Sequence, residues 1–143
     1  VSTQIAFEPD ILIKTPDGGV MVIEAKLAIS DIASTEEELK RYMIGMHYPF
    51  GLLVTPEKVR VYRDLYSSFS PASIKQVEEF DGARIWRSNP PKHESEFEAF
   101  VQQWLEGLAD FPAESLPPEF KNIVQVFILP AIATGEVRAA HPR

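Results

Sequence analysis

The sequence predicts an α/β (or α+β) fold in which a mixed central β-sheet is flanked by helices. Three observations lead there. Two dense apolar runs, Ile11-Leu12-Ile13 and Val20-Met21-Val22-Ile23, surround the turn-forming Thr15-Pro16-Asp17-Gly18-Gly19. A stretch of helical periodicity follows, and then two more apolar runs with strand character. Further helical patterns fill the C-terminal half. The order strand, strand, helix, strand, strand implies a sheet of mixed direction.

The elements follow in order. Residues 4–14 and 20–27 read as strands, apolar on both faces and therefore central in the sheet. A helix is expected from Thr35 to His47. Ser34 or Thr35 can cap it, with Glu37 or Glu38 completing a capping box, and Glu36, Glu37 and Glu38 favour the positive helix end. Leu39, Met43 and Met46 form its apolar stripe, and Pro49 ends it. Phe50 to Thr55 is a strand, Pro56-Glu57-Lys58 a turn, and Val59 to Leu65 another strand. Residues 66–82 are less regular. Ala83 to Arg87 reads either as an edge strand or as part of that region, with Trp86 a packing residue.

Ser88-Asn89-Pro90-Pro91-Lys92 breaks the chain. The next helix, Ser95 to Ala109, shows the clearest periodicity, with Phe97, Phe100, Val101, Trp104, Leu105 and Leu108 on one side and Ser95 with Glu98 as a capping box. Asp110 to Leu116 is a linker. Pro117-Pro118 opens another helix carrying Phe120, Ile123, Val124, Phe127 and Ile128, which ends near Pro130. Residues 94–130 are expected to pack on the sheet or to serve an oligomer interface. The tail, Ala139 to Arg143, is expected to be disordered.

Composition sets bounds. At 143 residues the chain suits one domain with a real core. No apolar run approaches the ~20 residues of a membrane span, and no signal-peptide pattern opens the chain. The absence of cysteine excludes disulfides, thiolate catalysis and zinc–cysteine sites, and fits a cytoplasmic protein. A net charge of −7 opposes a simple DNA grip, because nonspecific binding rests on Lys and Arg neutralising phosphates. Lys40-Arg41, then Lys58, Arg60 and Arg63, then Arg84 and Arg87 are local basic spots, read mainly as solubilising charge. His47, His93 and His141 have no ligand spacing, and no Gly-rich phosphate loop, serine elbow or zinc pattern is present.

The chemistry concentrates in Pro9-Asp10 and Glu24-Ala25-Lys26. In a hairpin centred on Pro16-Asp17-Gly18-Gly19, paired residues have numbers summing to roughly 34 or 35. Asp10 then lies opposite Glu24 or Ala25. Glu24 and Lys26 share a face of their strand, and Asp10 joins it if the register is right. Two acids can hold a divalent cation, and a lysine beside them can steady a phosphate or a water. Two other acid-x-Lys triplets, Glu38-Leu39-Lys40 and Glu119-Phe120-Lys121, fall in helical patterns and read as solvated faces. The competing explanation for the first triplet is a surface salt bridge at a strand end, which contributes little.

Pro9-Asp10 followed by Val22-Ile23-Glu24-Ala25-Lys26 resembles the PD-(D/E)XK nuclease superfamily. Residues 5–65 are similar to the nuclease domain at the start of type I restriction enzyme motor subunits, through Glu38-Leu39-Lys40-Arg41-Tyr42, Pro49-Phe50-Gly51-Leu52-Leu53-Val54-Thr55 and Val59-Arg60-Val61-Tyr62. The resemblance implies a restriction-endonuclease-like fold, with Asp10 and Glu24 as ligands of Mg²⁺ or Mn²⁺ and the Ala25 carbonyl as a further donor. It implies that Lys26 orients or activates the attacking water, and that Tyr42 and the Glu38 position lie near the DNA backbone; the residues alone read Tyr42 equally well as an amphipathic packing residue. Glu38 stands where the family pattern has Gln, and an anion there repels phosphate unless a cation intervenes. The expected function is metal-dependent cleavage of DNA, possessing weak affinity alone and a role in restriction. The alternative is a nuclease-like module that serves as an interaction or regulatory domain without cleavage. The apolar C-terminal helix suits a homodimer or a protein partner.

Overall fold

The structure is a computed structural model that describes residues 9–110 and 116–139. The first two apolar runs pair as an antiparallel hairpin, β1 (Ile11–Thr15) and β2 (Gly18–Ala25). Residues 4–8 of the expected first strand lie outside the described residues. Ile11 pairs with Ile23 and Leu12 with Val22, but nearer the turn Lys14 pairs with Gly19, so Val20 is the extra residue of a β-bulge. Gly18 closes the turn at φ +132°, a conformation that side chains disfavour.

After β2 the chain crosses over through α1 (Ile32–Met46) and returns in β3 (Phe50–Val54), parallel to β2. β4 (Lys58–Asp64) and β5 (Ile74–Asp81) extend the sheet antiparallel on that side. On the other side β6 (Glu136–Ala139) pairs antiparallel with β1. The strand order is β5-β4-β3-β2-β1-β6. The expected mixed sheet flanked by helices is therefore present.

Alternation of side chains along each strand builds two cores. Leu12, Val22, Leu53, Tyr62 and Ile74 meet Leu39 and Met43 of α1 on one face. Ile11, Ile13, Met21, Ile23, Leu52 and Val61 form the other. That second face is covered by α2 (Glu94–Glu106) and by a C-terminal helical segment. The segment runs from α3 (Pro118–Ile123) through a π-helical turn (Val124–Ile128) into α4 (Leu129–Thr134). Phe97, Val101, Trp104, Leu105 and Phe120 supply its packing. With both faces covered, the central strands carry the near-continuous apolar runs seen in the sequence. Among the described residues no helix is long and apolar enough to cross a membrane.

Several elements depart from expectation. α1 begins at Ile32, because the Asp31 carboxylate accepts from the Ser34 N–H at 3.1 Å and caps it three residues early. Glu36, Glu37 and Glu38 thus lie beyond the first turn, away from the positive end. The helix ends at Met46, ahead of Pro49. His47 turns left-handed (φ 61°), and the His47 and Tyr48 N–H groups return to Ile44 O (3.4 Å) and Met43 O (2.9 Å). Met46, at that terminus, is 58% exposed and does not face the sheet.

Residues 74–81, expected to be irregular, form β5. Their apolar alternation is broken by a bulge at Val77, since Val61 pairs with Glu78 but Tyr62 with Gln76. Ile74 and Phe80 consequently face opposite cores although six residues apart. Gly82–Arg84 is a 3-10 turn, so the 83–87 segment is irregular and not an edge strand. Trp86 packs edge-on against Phe97, Phe100 and Trp104 and donates its indole N–H to Pro56 O at 2.9 Å.

α2 starts at Glu94 behind His93, and no side chain caps it, so the Ser95–Glu98 box does not form. A 3-10 turn, Gly107–Asp110, replaces its expected last residues. Residues 111–115 of the expected linker lie outside the described residues. Pro130 does not end the C-terminal helix. The π-helical turn pairs the Leu129 N–H with Val124 O, and Pro130 then sits in the first turn of α4, where no N–H is required. Ala139, expected in a disordered tail, pairs with Ile11 in β6, and residues 140–143 lie outside the described residues.

β6 depends on close backbone contact at Gly135. A Cβ there would stand 1.8 Å from the Lys14 carbonyl oxygen, a backbone atom held in the sheet. Gly135→Ala is expected to destabilise the fold by about 1–3 kcal/mol, the usual scale of overpacking. Hydrogen exchange would show protection lost at the β6 amides that bond to β1 while the β2–β3 amides keep theirs.

Candidate functional site

Three charged side chains converge at one end of the sheet. Asp10 immediately precedes β1, and its N–H bonds to Ile23 O at 3.1 Å. The Ile11–Ile23 register sets Asp10 opposite Glu24. Lys26 follows β2 directly and donates its N–H to Val54 O at 2.9 Å. Glu24 and Lys26 lie on the strand face of Val22, and Asp10 on that of Leu12, so all three occupy the α1 side of the sheet.

The Lys26 Nζ lies 3.2 Å from Glu24 Oε1 and 3.6 Å from Asp10 Oδ2. Asp10 and Glu24 are almost fully buried, at 2% and 4% exposure, whereas the Lys26 side chain is 36% exposed. The Ala25 N–H donates to Asp10 Oδ2 at 2.8 Å and aims that carboxyl group. Glu24 Oε1 is buried, and its close polar neighbour is the Lys26 ammonium.

Electrostatics follow from burial. Loss of water, a hydrogen bond to Glu24 and repulsion by Glu24 push Asp10 up to about 7, against the opposing pull of the Ala25 N–H and Lys26. Burial acts to lower the Lys26 pKa, but attraction by Glu24, Asp10 and Glu94 outweighs it and the net shift is upward. Lys26 therefore stays an ammonium at neutral pH.

Glu94 is a site residue that the sequence did not reveal. It opens α2, its Oε1 lies 3.9 Å from Lys26 Nζ, and its Oε2 accepts from the Leu27 N–H at 3.1 Å. Its separation of 67 residues from Leu27 leaves no local spacing to find. The sole signal is an acid placed just after the Pro90-Pro91 break, which reads equally well as a helix-end charge.

Glu38 and Tyr42 lie one turn apart on α1, which covers the same sheet face as the triad. Glu38 is exposed. Tyr42 is half-buried against the α1-side core with its ring stacked on Tyr48 at 5.8 Å, and burial raises its phenol pKa. A neighbouring residue, Glu36, accepts a hydrogen bond from the Tyr62 hydroxyl.

The donor set suits a hard divalent cation. Among the described residues, no group of three or more His, Cys, Asp or Glu side chains could hold a metal. Magnesium needs no such cage, because it keeps several waters and takes one or two carboxylates plus substrate phosphate. The burial of both carboxyl groups beside a single ammonium and the raised Asp10 pKa mark a place where added positive charge is favourable. No family model matches this chain, no curated protein matches it in sequence, and no solved structure matches it in fold.

Asp10 gives the fold a distinctive pH dependence. An ordinary aspartate ionises near 3.8, so between there and about 7 the unfolded chain releases a proton that folded Asp10 keeps. Stability is full below that window, falls as pH rises through it, and levels off above about 7. The loss is on the order of 4 kcal/mol. Asp10→Asn retains an acceptor for the Ala25 N–H without the charge. It is expected to flatten the window and to be more stable than the wild type at pH 8 with chelator present. Denaturant melts from pH 4 to 8 measure both effects, and an unchanged wild-type-like slope in the variant would remove Asp10 as the cause.

Proposed function

We propose that this chain is a metal-dependent nuclease domain that hydrolyses DNA phosphodiester bonds, acting in restriction. The observation that carries the proposal is the convergence of Asp10, Glu24 and Lys26 at one end of the sheet, with the ammonium 3.6 Å and 3.2 Å from the two buried carboxyl groups. The order and spacing of the motifs that resemble PD-(D/E)XK nucleases support the same reading, and a restriction-endonuclease-like fold is part of the proposal.

Asp10 and Glu24 would hold Mg²⁺ or Mn²⁺, with the Ala25 carbonyl as a further donor. Held there, such an ion would supply Lewis-acid chemistry toward a phosphate oxygen and a more acidic water. Asp10 presents the carboxylate that the Ala25 N–H has oriented. Glu24 presents a buried oxygen whose close polar neighbour is the Lys26 ammonium. Lys26, kept protonated by its neighbours, donates hydrogen bonds that orient the attacking water and balances charge on the phosphate. As an ammonium it does not serve as the general base. Tyr42, on α1 above the same face, lies toward the DNA backbone in this reading.

A net charge of −7 limits affinity for a polyanion, so a protein partner or a second copy supplies most of the grip. A cytoplasmic location fits the cysteine-free chain. The same negative charge, together with the anionic Glu38 on α1, favours one other reading, a nuclease-fold interaction or regulatory module without cleavage.

Cleavage of linear, supercoiled and single-stranded DNA with Mg²⁺ or Mn²⁺ separates the two. Lys26→Ala is expected to reduce the rate by about 10²–10³, the scale for removing a charge-stabilising donor. Glu24→Gln is expected to lose both cleavage and metal binding. Absence of cleavage together with absence of Mg²⁺ and Mn²⁺ binding by calorimetry would establish the interaction module instead.

A further inference from the structure

We infer that Glu94 is a positioning residue that receives the Lys26 ammonium when a divalent cation takes the Asp10–Glu24 pair. The inference rests on the metal-dependent reading above and concerns how that same site is loaded. Lys26 Nζ lies 3.2 Å from Glu24 Oε1, 3.6 Å from Asp10 Oδ2 and 3.9 Å from Glu94 Oε1. The ammonium thus already occupies the charge-balancing position between the two buried carboxyl groups. An arriving divalent cation claims the same oxygens, and like charges repel strongly where water is scarce. Lys26 has to withdraw.

The direction of withdrawal is set by what surrounds it. The Lys26 side chain is 36% exposed and that of Glu94 is 45% exposed, so both can adjust at the end of the sheet. Glu94 is nevertheless anchored at the start of α2, with Oε2 committed to the Leu27 N–H at 3.1 Å. That bond leaves Oε1 facing the lysine. An ammonium released into water would be lost to the substrate, whereas one held by Glu94 stays beside the phosphate. Glu94 therefore keeps Lys26 available while clearing it from the ion's ligands.

A double-mutant cycle read by calorimetric titration with Mg²⁺ and Mn²⁺ tests this without measuring cleavage. Glu94→Gln keeps an oxygen for the Leu27 N–H and removes the charge. Lys26→Met keeps the apolar stem and removes the ammonium. Lys26→Met is expected to bind the ion more tightly than the wild type, because the competing cation is gone. Glu94→Gln is expected to bind about tenfold more weakly, the scale for removing a partner behind a metal ligand. In the Lys26→Met background the Glu94→Gln change is expected to fall below about twofold, since no ammonium remains to be received. Equal weakening in both backgrounds would make Glu94 a direct ligand and overturn the inference, as would no effect in either. Failure of the wild type and of Lys26→Met alike to bind either ion would remove the metal reading itself.

Discussion

The interaction on which the site depends is the burial of two carboxyl groups against each other with one partly exposed ammonium between them. Asp10 and Glu24 cannot both be charged in a nearly dry environment without compensation. Lys26 compensates in part, and a proton on Asp10 near neutrality compensates for the rest. The arrangement is unfavourable to the fold, and added positive charge would relieve it. A structural salt bridge would gain more from being placed in solvent, where desolvation is absent. Burial of both acids at a sheet end therefore does not gain the fold stability.

The rest of the molecule is arranged to tolerate this. Apolar side chains from both faces of β1, β2 and β3 surround the sheet end, and helices cover both layers. The parallel β2–β3 pair is central, and its register places Ala25 beside Val54, so Lys26 can continue the ladder by one hydrogen bond to Val54 O. That bond fixes the lysine backbone while leaving its side chain partly in water. α2 comes from the opposite layer, yet its first residue reaches round the end of the sheet to Lys26 and Leu27. Both layers thus meet at the site through side chains of one small cluster.

Local chemistry was legible where it was strong. The hairpin, the first crossover helix and the third and fourth strands follow from apolar runs and turn residues, because those patterns encode burial directly. Counting from the turn set Asp10 opposite Glu24 or Ala25 but left its face open, because the register there depends on the bulge at Val20. What stayed hidden depended on distant or irregular geometry. β5 was obscured because the bulge at Val77 breaks its alternation, and its polar residues suit an edge. β6 is four residues long and exists only by pairing with β1, more than a hundred residues earlier in the chain. Pro130 looked like a helix end because a π-helical turn is invisible to simple periodicity. Glu94 joins the site through tertiary packing alone. The Asp31 cap was not read from the sequence, because Ser34 and Thr35 beside the glutamates match the capping-box pattern.

The β-bulge at Val20 decides whether the site exists at all. Next to the turn, Lys14 pairs with Gly19 and Thr15 with Gly18. Carried along the hairpin without interruption, that register would set Asp10 opposite Ile23. Paired residues point to the same side of a sheet, so Asp10 would then face the α2 layer, away from Glu24 and Lys26. The extra residue at Val20 shifts the pairing by one, and from Ile13–Met21 onward the strands run in the register that sets Asp10 against Glu24. The apolar side chains enforce the shift, because Ile11, Ile13, Met21 and Ile23 then share one core while Leu12 and Val22 share the other. The packing that makes the hairpin stable and the packing that brings the two acids together are therefore one constraint. A tight turn alone would satisfy neither, and the bulge reconciles the turn with both.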